Sequence, residues 1–330
     1  MQPARSATFT LAERARAHIS IARFDHWTKN VFILPGVVVP ISVDHTPITT
    51  ALAVRLVLGF LAAGLIASSN YVINEVLDAP YDRLHPIKKN RPAACGLVSL
   101  PLAYVEWIFL MVAGLGLASL LATPYLTWTL FALWVMGCLY NIPPVRTKDI
   151  PYLDVLSESV NNPLRMLAGW FMVTSTIIPP ASLLISYWMI GSYLMALKRF
   201  SEFRQISDPA RAGAYRKSFR QYTERSLLVS VTFYAAAAML FFGAFIVRYR
   251  VELLLSFPLV ALVMAVYYDL AFDENSAAQN PEGLHRHLGL MASVTACAVV
   301  MVALMFVELP VLQKIFAPTM PTHGLSTPTR

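Results

Sequence analysis

The sequence predicts an all-α, polytopic membrane protein, and three observations predict it. Of the 330 residues, 57% are hydrophobic and 14% charged, against about 45–50% apolar and about 25% charged in soluble domains. The mean hydropathy is +0.57. Nine stretches approach the ~20 apolar residues that a helix needs to cross the hydrocarbon: 28–44, 51–73, 100–122, 125–142, 152–174, 179–198, 226–247, 252–272 and 288–312. These figures exclude a soluble enzyme, a disordered chain, a collagen and a coiled coil.

The segment 1–27 carries Arg5, Arg14, Arg16 and Arg23 without an early apolar core. That pattern is not a cleavable signal peptide and predicts a cytoplasmic segment. Residues 28–316 then read as one transmembrane domain of nine helices, punctuated by Thr123-Pro124 and Ile177-Ile178-Pro179-Pro180. No internal repeat is visible. The tail 317–330, with Pro318, Pro321 and Pro328, is polar and is expected to be disordered. Cys95, Cys138 and Cys297 follow no metal or redox spacing.

The net charge of +7 is not read as a nucleic-acid signature. With the N-terminus cytoplasmic, 20 of the 26 Lys and Arg fall on that side, Lys29 at the first span's edge included. This positive-inside bias predicts a multi-pass protein of the inner (plasma) membrane, N-terminus in and C-terminus out. Membrane lipids are expected partners, and an oligomer is left open. The long polar loops 74–99 and 198–225 then share the cytoplasmic face.

The first loop contains Asn74, Asp78 and Asp82 at i, i+4 and i+8, then Lys88, Lys89 and Arg91. On a helix the three oxygen-bearing side chains share a face over about 12 Å. Hard oxygens so placed suit Mg²⁺, which is held by one or two carboxylates plus phosphate oxygens. The basic residues that follow suit the rest of a diphosphate. In the second loop Lys198 and Arg199 sit at the end of a span, whereas Arg211, Arg216, Lys217 and Arg220 read as positive-inside charge. Within the fifth stretch, Asp154, Glu158, Asn161, Asn162 and Arg165 are unusually polar. An arginine there must pair or meet a phosphate; Glu158 or Asp154 would serve for the first. The six tryptophans suit interfacial belts or packing, Gly114 and Gly116 suit packing, and His85-Pro86 suits a helix stop.

Asn74-x3-Asp78-x3-Asp82, followed by His85-Pro86, Lys88 and Arg91-Pro92, resembles the first aspartate-rich motif of the UbiA-type intramembrane prenyltransferase superfamily. The resemblance implies nine helices around a central cavity opening to the cytoplasm. Where ordinary members carry a second aspartate-rich motif, this chain has Lys198-Arg199-x2-Glu202 and Tyr215-Arg216-Lys217-Ser218-x3-Tyr222-Thr223. With His26-Trp27-Thr28-Lys29-Asn30, that substitution is similar to the polyprenyl-phosphate phosphoribosyltransferase branch. Two segments depart from the branch: Tyr140–Asp149, containing Arg146 and Lys148, is closer to ordinary prenyltransferases, and Pro281–His287 is less acidic than expected.

The resemblance implies transfer of 5-phosphoribose from phosphoribosyl pyrophosphate to a polyprenyl phosphate, a step toward lipid-linked arabinose. Asp78 and Asp82, helped by Asn74, would hold Mg²⁺ on the leaving diphosphate. Lys198 and Arg199 would act on phosphates in the reaction. Lys29, Lys88, Lys89, Arg91, Arg146, Lys148, Arg165 and Glu202 complete the expected substrate-binding set. The rival readings are an ordinary prenyltransferase using a prenyl diphosphate and a non-catalytic transporter or lipid-binding scaffold.

Overall fold

The computed structural model describes residues 10–83, 88–121, 124–206, 209–273, 276–279, 284, 286–317 and 319. His85-Pro86, most of Pro281–His287 and all of the expected tail except Ala317 and Thr319 lie outside the described residues.

Every regular element among the described residues is helical. Helix α1 (Leu11–Ile21) starts at a reciprocal cap, with Thr10 and Glu13 satisfying each other's backbone N–H groups. A 3₁₀ segment, Phe24–Ile33, runs into α2 (Leu34–Asp44). The 33-residue α3 (Thr50–Asp82) follows, capped by the Thr49 hydroxyl. Then come α4 (Leu100–Leu121), α5 (Pro124–Asn141), α6 (Leu153–Ser159), α7 (Asn161–Val173), α8 (Ala181–Gln205) and α9 (Pro209–Tyr215). The chain ends with α10 (Glu224–Tyr249), α11 (Phe257–Leu270), α12 (Leu288–Phe306) and the short α13 (Pro310–Ile315).

Five helical segments are long and apolar enough to cross a membrane: Thr50–Asp82, Leu100–Leu121, Glu224–Tyr249, Val251–Leu270 and Leu288–Phe306. Large apolar side chains such as Val57, Phe109, Phe233 and Leu240 face outward. In water such a surface would drive aggregation; against lipid it is the required exterior. The chain is a multi-pass membrane protein.

Three expected stretches take a different shape. Residues 152–174 are not one helix: they break at Val160, where Pro163 has no N–H to offer the Ser159 carbonyl. The sixth stretch continues past 198 to Gln205, which puts Lys198, Arg199 and Glu202 on a helix rather than in a loop. The ninth stops at Phe306, just before the Leu309-Pro310 turn.

Small and hydroxyl residues bring the helices close, as expected where apolar burial gives little preference for protein over lipid. A side chain on Gly36 would begin 1.8 Å from the Met166 carbonyl oxygen, so α2 crosses α7 backbone to backbone. Ser69 on α3 donates to the Trp107 carbonyl at 2.7 Å and accepts from the Trp134 indole at 3.2 Å. Ser186 on α8 donates to the Ala238 carbonyl on α10 at 3.0 Å. These bonds fix the angles at which α3 and α8 bring their polar ends together.

Candidate active site

The final turns of α3 align Asn74, Asp78 and Asp82 as the spacing predicts, and cations meet each carboxylate. Asp78 Oδ1 accepts from Arg146 Nη2 at 2.9 Å and from Lys148 Nζ. Asp82 Oδ2 accepts from Arg91 Nη1 at 2.8 Å. Asn74 donates to Asn141 Oδ1, which also accepts from Lys148 Nζ at 2.9 Å. Lys88 Nζ donates to the Tyr215 hydroxyl at 2.7 Å. On the far rim Asp149 Oδ2 receives Lys217 Nζ at 2.9 Å and lies 3.3 Å from Arg146 Nε. These groups surround a cleft of about 60 Å³, lined by Asp78, Tyr81, Asp82, Lys88, Arg146, Lys148, Asp149, Tyr215, Arg216 and Lys217.

Two features of this cleft go beyond ordinary packing. Arg146 holds a left-handed backbone angle, φ 31°, which costs about 1–3 kcal/mol in a non-glycine residue. Arg146 is fixed there because its guanidinium reaches both the Asn141 carbonyl and Asp78. The second feature is charge density. Burial pushes the Lys148 ammonium down to about 8, an effect that Arg146 and Arg216 reinforce and Asp78 opposes. Five cations face three carboxylates, so the cleft has positive charge to offer an anion.

The donor set fits Mg²⁺ held jointly with a phosphate. Asp78 Oδ2 and Asp82 Oδ1 accept no hydrogen bond among the described residues. Those residues include no cluster of three or more Asp, Glu, His or Cys side chains able to hold a metal. Two carboxylates a turn apart with unused oxygens are what Mg²⁺ needs when phosphate and water complete the octahedron.

Beside the cleft lies a second, closed cluster around Asp154, which is 0% exposed. Its Oδ2 accepts from Arg199 Nε at 3.2 Å, Arg216 Nη1 at 3.2 Å and Ser218 Oγ at 3.1 Å, and its Oδ1 from the Tyr222 hydroxyl at 2.7 Å. Arg199 also donates to Glu202 at 3.1 Å and to the Tyr140 hydroxyl at 3.3 Å. Arg199, expected to act on phosphates, is placed by these bonds in the closed cluster. All three of its nitrogens are committed, it is buried, and it holds α8 to α6 and α5. Glu202 belongs to the same cluster, and Lys198 is half-buried beside it.

Of the expected residues, Asn74, Asp78, Asp82, Lys88, Arg91, Arg146 and Lys148 come together at the cleft. Lys89 is exposed and outside its lining. Lys29 lies against His26 Nδ1 at 3.2 Å and over the Tyr71 ring at 5.7 Å, about two turns of α3 below Asp78. Arg165, on α7, lies elsewhere in the bundle. Arg216 and Lys217, expected to be solvated charge, are instead cleft residues; Tyr81, Asp149 and Tyr215 were not foreseen. Tyr215-Arg216-Lys217 offered an aromatic-basic run as a signal, but only the packing of α9 against the following 3₁₀ turn brings it over α3.

Comparison with known proteins follows the same lines. A model of the UbiA prenyltransferase family matches residues 32–286. Decaprenyl-phosphate phosphoribosyltransferase of Mycobacterium tuberculosis is 29% identical over 66% of this chain and 69% of that protein. Nodulation protein NoeC of Azorhizobium caulinodans is 28% identical over 72% of this chain and 71% of its own length. The structure of a UbiA homologue from Archaeoglobus fulgidus bound to GPP and Mg²⁺ superposes with a TM-score of 0.64 at 18% identity. It covers 86% of this chain and 99% of that one.

Proposed function

Because the chain belongs to the UbiA prenyltransferase family, we propose that it transfers 5-phosphoribose from phosphoribosyl pyrophosphate to a polyprenyl phosphate. An oxygen of the lipid phosphate attacks the anomeric carbon, the carbon–oxygen bond to the diphosphate breaks, and pyrophosphate leaves. The observation that carries this reading is the charge of the cleft. Its lining sets five cations, Arg216 and Lys217 among them, against the three carboxylates Asp78, Asp82 and Asp149, and Tyr215-Arg216-Lys217 stands where the resemblance expects a second acidic motif. Relatives named decaprenyl-phosphate phosphoribosyltransferase, at 27–29% identity, support it.

Asp78 and Asp82, with Asn74 beside them, would hold Mg²⁺, which supplies charge neutralisation on the leaving diphosphate. Arg146 and Lys148 now neutralise Asp78; on binding of the metal and diphosphate they would turn to the phosphate oxygens. Lys88, Arg91, Arg216 and Lys217 would grip the diphosphate and the 5-phosphate, and so orient the anomeric carbon. The nucleophile is already an anion, so no general base is required. Arg199, Glu202 and Asp154 would position Arg216 without touching substrate.

With this reading go nine membrane crossings over residues 28–316, an N-terminus in the cytoplasm and a cavity opening to that side. The second reading, an ordinary prenyltransferase with a prenyl diphosphate donor, is favoured by the Tyr140–Asp149 segment. The fold neighbours bound to DMAPP or GPP with Mg²⁺ favour it too. Incubating purified protein with Mg²⁺, labelled phosphoribosyl pyrophosphate and polyprenyl phosphate decides between them. A labelled lipid is expected. Consumption of a prenyl diphosphate, with phosphoribosyl pyrophosphate untouched, would replace the first reading by the second.

A further inference from the structure

Arg165 lies on α7, inside the bundle, and its Nε is buried without a hydrogen-bond partner. Neither carboxylate that could have paired with it does so. Asp154 is saturated by its four donors, and Glu158 makes no ion pair among the described residues. Four residues earlier, on the same face of α7, Asn161 Oδ1 is likewise buried and unpartnered. A guanidinium inside a membrane bundle with no ion pair among the described residues is costly to keep, and such residues mark ligand pathways.

The height of this group is readable from the packing. A side chain on Gly169 would begin 2.3 Å from the Ile33 carbonyl oxygen. Four residues back along each segment from that crossing are Arg165 and Lys29. Lys29 stands over Tyr71, seven residues or about 10 Å along α3 from Asp78. A leaving diphosphate, an anomeric carbon and an attacking oxygen about 3–3.5 Å from that carbon fill such a height.

We propose that Arg165, with Asn161 and Lys29 at the same level, binds the monophosphate headgroup of a prenyl lipid and selects phosphorylated over unphosphorylated chains. Naming that lipid as the acceptor rests on the phosphoribosyl-transfer reading; the anion site does not.

The test uses the full chain in detergent, with farnesyl phosphate and farnesol as probes and thermal unfolding as the readout. Farnesyl phosphate should protect the wild type and farnesol should not. Arg165→Gln should weaken the phosphate's apparent affinity roughly tenfold or more, while protection by Mg²⁺ with phosphoribosyl pyrophosphate stays at the wild-type level. Arg165→Lys, which keeps a charge without the planar fork, should lose several-fold, and it is the variant to read if Arg165→Gln does not fold. Equal protection by farnesol, no protection by either probe, or unchanged affinity in the readable variant would overturn the site. Protection by farnesyl phosphate through Arg165, with phosphoribosyl pyrophosphate neither bound nor used, would keep the site and remove the donor reading.

Discussion

Two neighbouring clusters contain the same chemistry, carboxylates ringed by arginine and lysine, and differ in what they leave unfinished. Asp154 is sealed from solvent, and four donors use both of its oxygens. Asp78 and Asp82 each keep one oxygen without a hydrogen bond, on the wall of a cleft. A saturated buried pair holds helices together; an unsaturated one beside a cavity can exchange its partners for a ligand. Charge pairing alone does not tell the two apart, but residual coordination does.

That contrast can be broken in order of expected effect. Asp78→Asn and Asp82→Asn should each lower transfer by about 10²-fold or more in protein that still purifies folded; near-wild-type turnover in both would put the metal elsewhere. Asp154→Asn should act the other way round. Stripping the charge from a buried pair costs about 3–5 kcal/mol, so thermal unfolding should shift down sharply, and the protein that stays folded should lose donor affinity through the loosened Arg216 while keeping turnover. A normal melting temperature with abolished turnover would make Asp154 a reacting group. Lys217→Gln should raise the KM for the donor roughly tenfold, one charge-assisted phosphate contact, without moving the melting temperature. A KM unchanged from wild type would return Lys217 to the solvated surface. The smallest perturbation tests the frame that holds both clusters. Cys95 is exposed and donates to the Lys89 carbonyl at 3.3 Å. It should escape a membrane-impermeant thiol reagent in intact cells and react after permeabilisation. Labelling from outside would invert the orientation.

Much of this was legible in the sequence because it is local. Apolar runs announced the helices, and the i, i+4, i+8 spacing of Asn74, Asp78 and Asp82 announced a functional face, since helical periodicity converts spacing into geometry. Glu75 shows the limit of the same rule. It reads as a neutral neighbour of that face, yet it is buried and accepts from the Ala93 N–H at 3.4 Å, because the 91–99 turn folds back on α3. The roles of Arg199 and Arg216 were illegible for a related reason. Both are basic residues in one polar region, and only the approach of α6, bringing Asp154 between them, decides which is enclosed and which reaches the cleft. Pro163 was visible as a proline in an apolar run, but that its break would leave Arg165 Nε and Asn161 Oδ1 without hydrogen bonds among the described residues depends on where Asp154 had already gone.

The length of α3 has a consequence of its own. Thirty-three residues make a rod of about 50 Å, and the hydrocarbon is about 30 Å thick. One rigid element therefore begins at one face of the bilayer, passes through the oil and ends in water, with Asp82 in its last turn. Its two polar steps, Asn74 and Asp78, mark the passage from one solvent to the other. In the proposed reaction a hydrophilic donor and a lipid acceptor share no common medium, and along this helix neither would have to leave its own: the donor would stay on the wet end while the acceptor's head climbs to meet it. Removing one turn from the apolar stretch would draw the carboxylates about 5.4 Å toward the lipid and part the two solvents at the wrong rung.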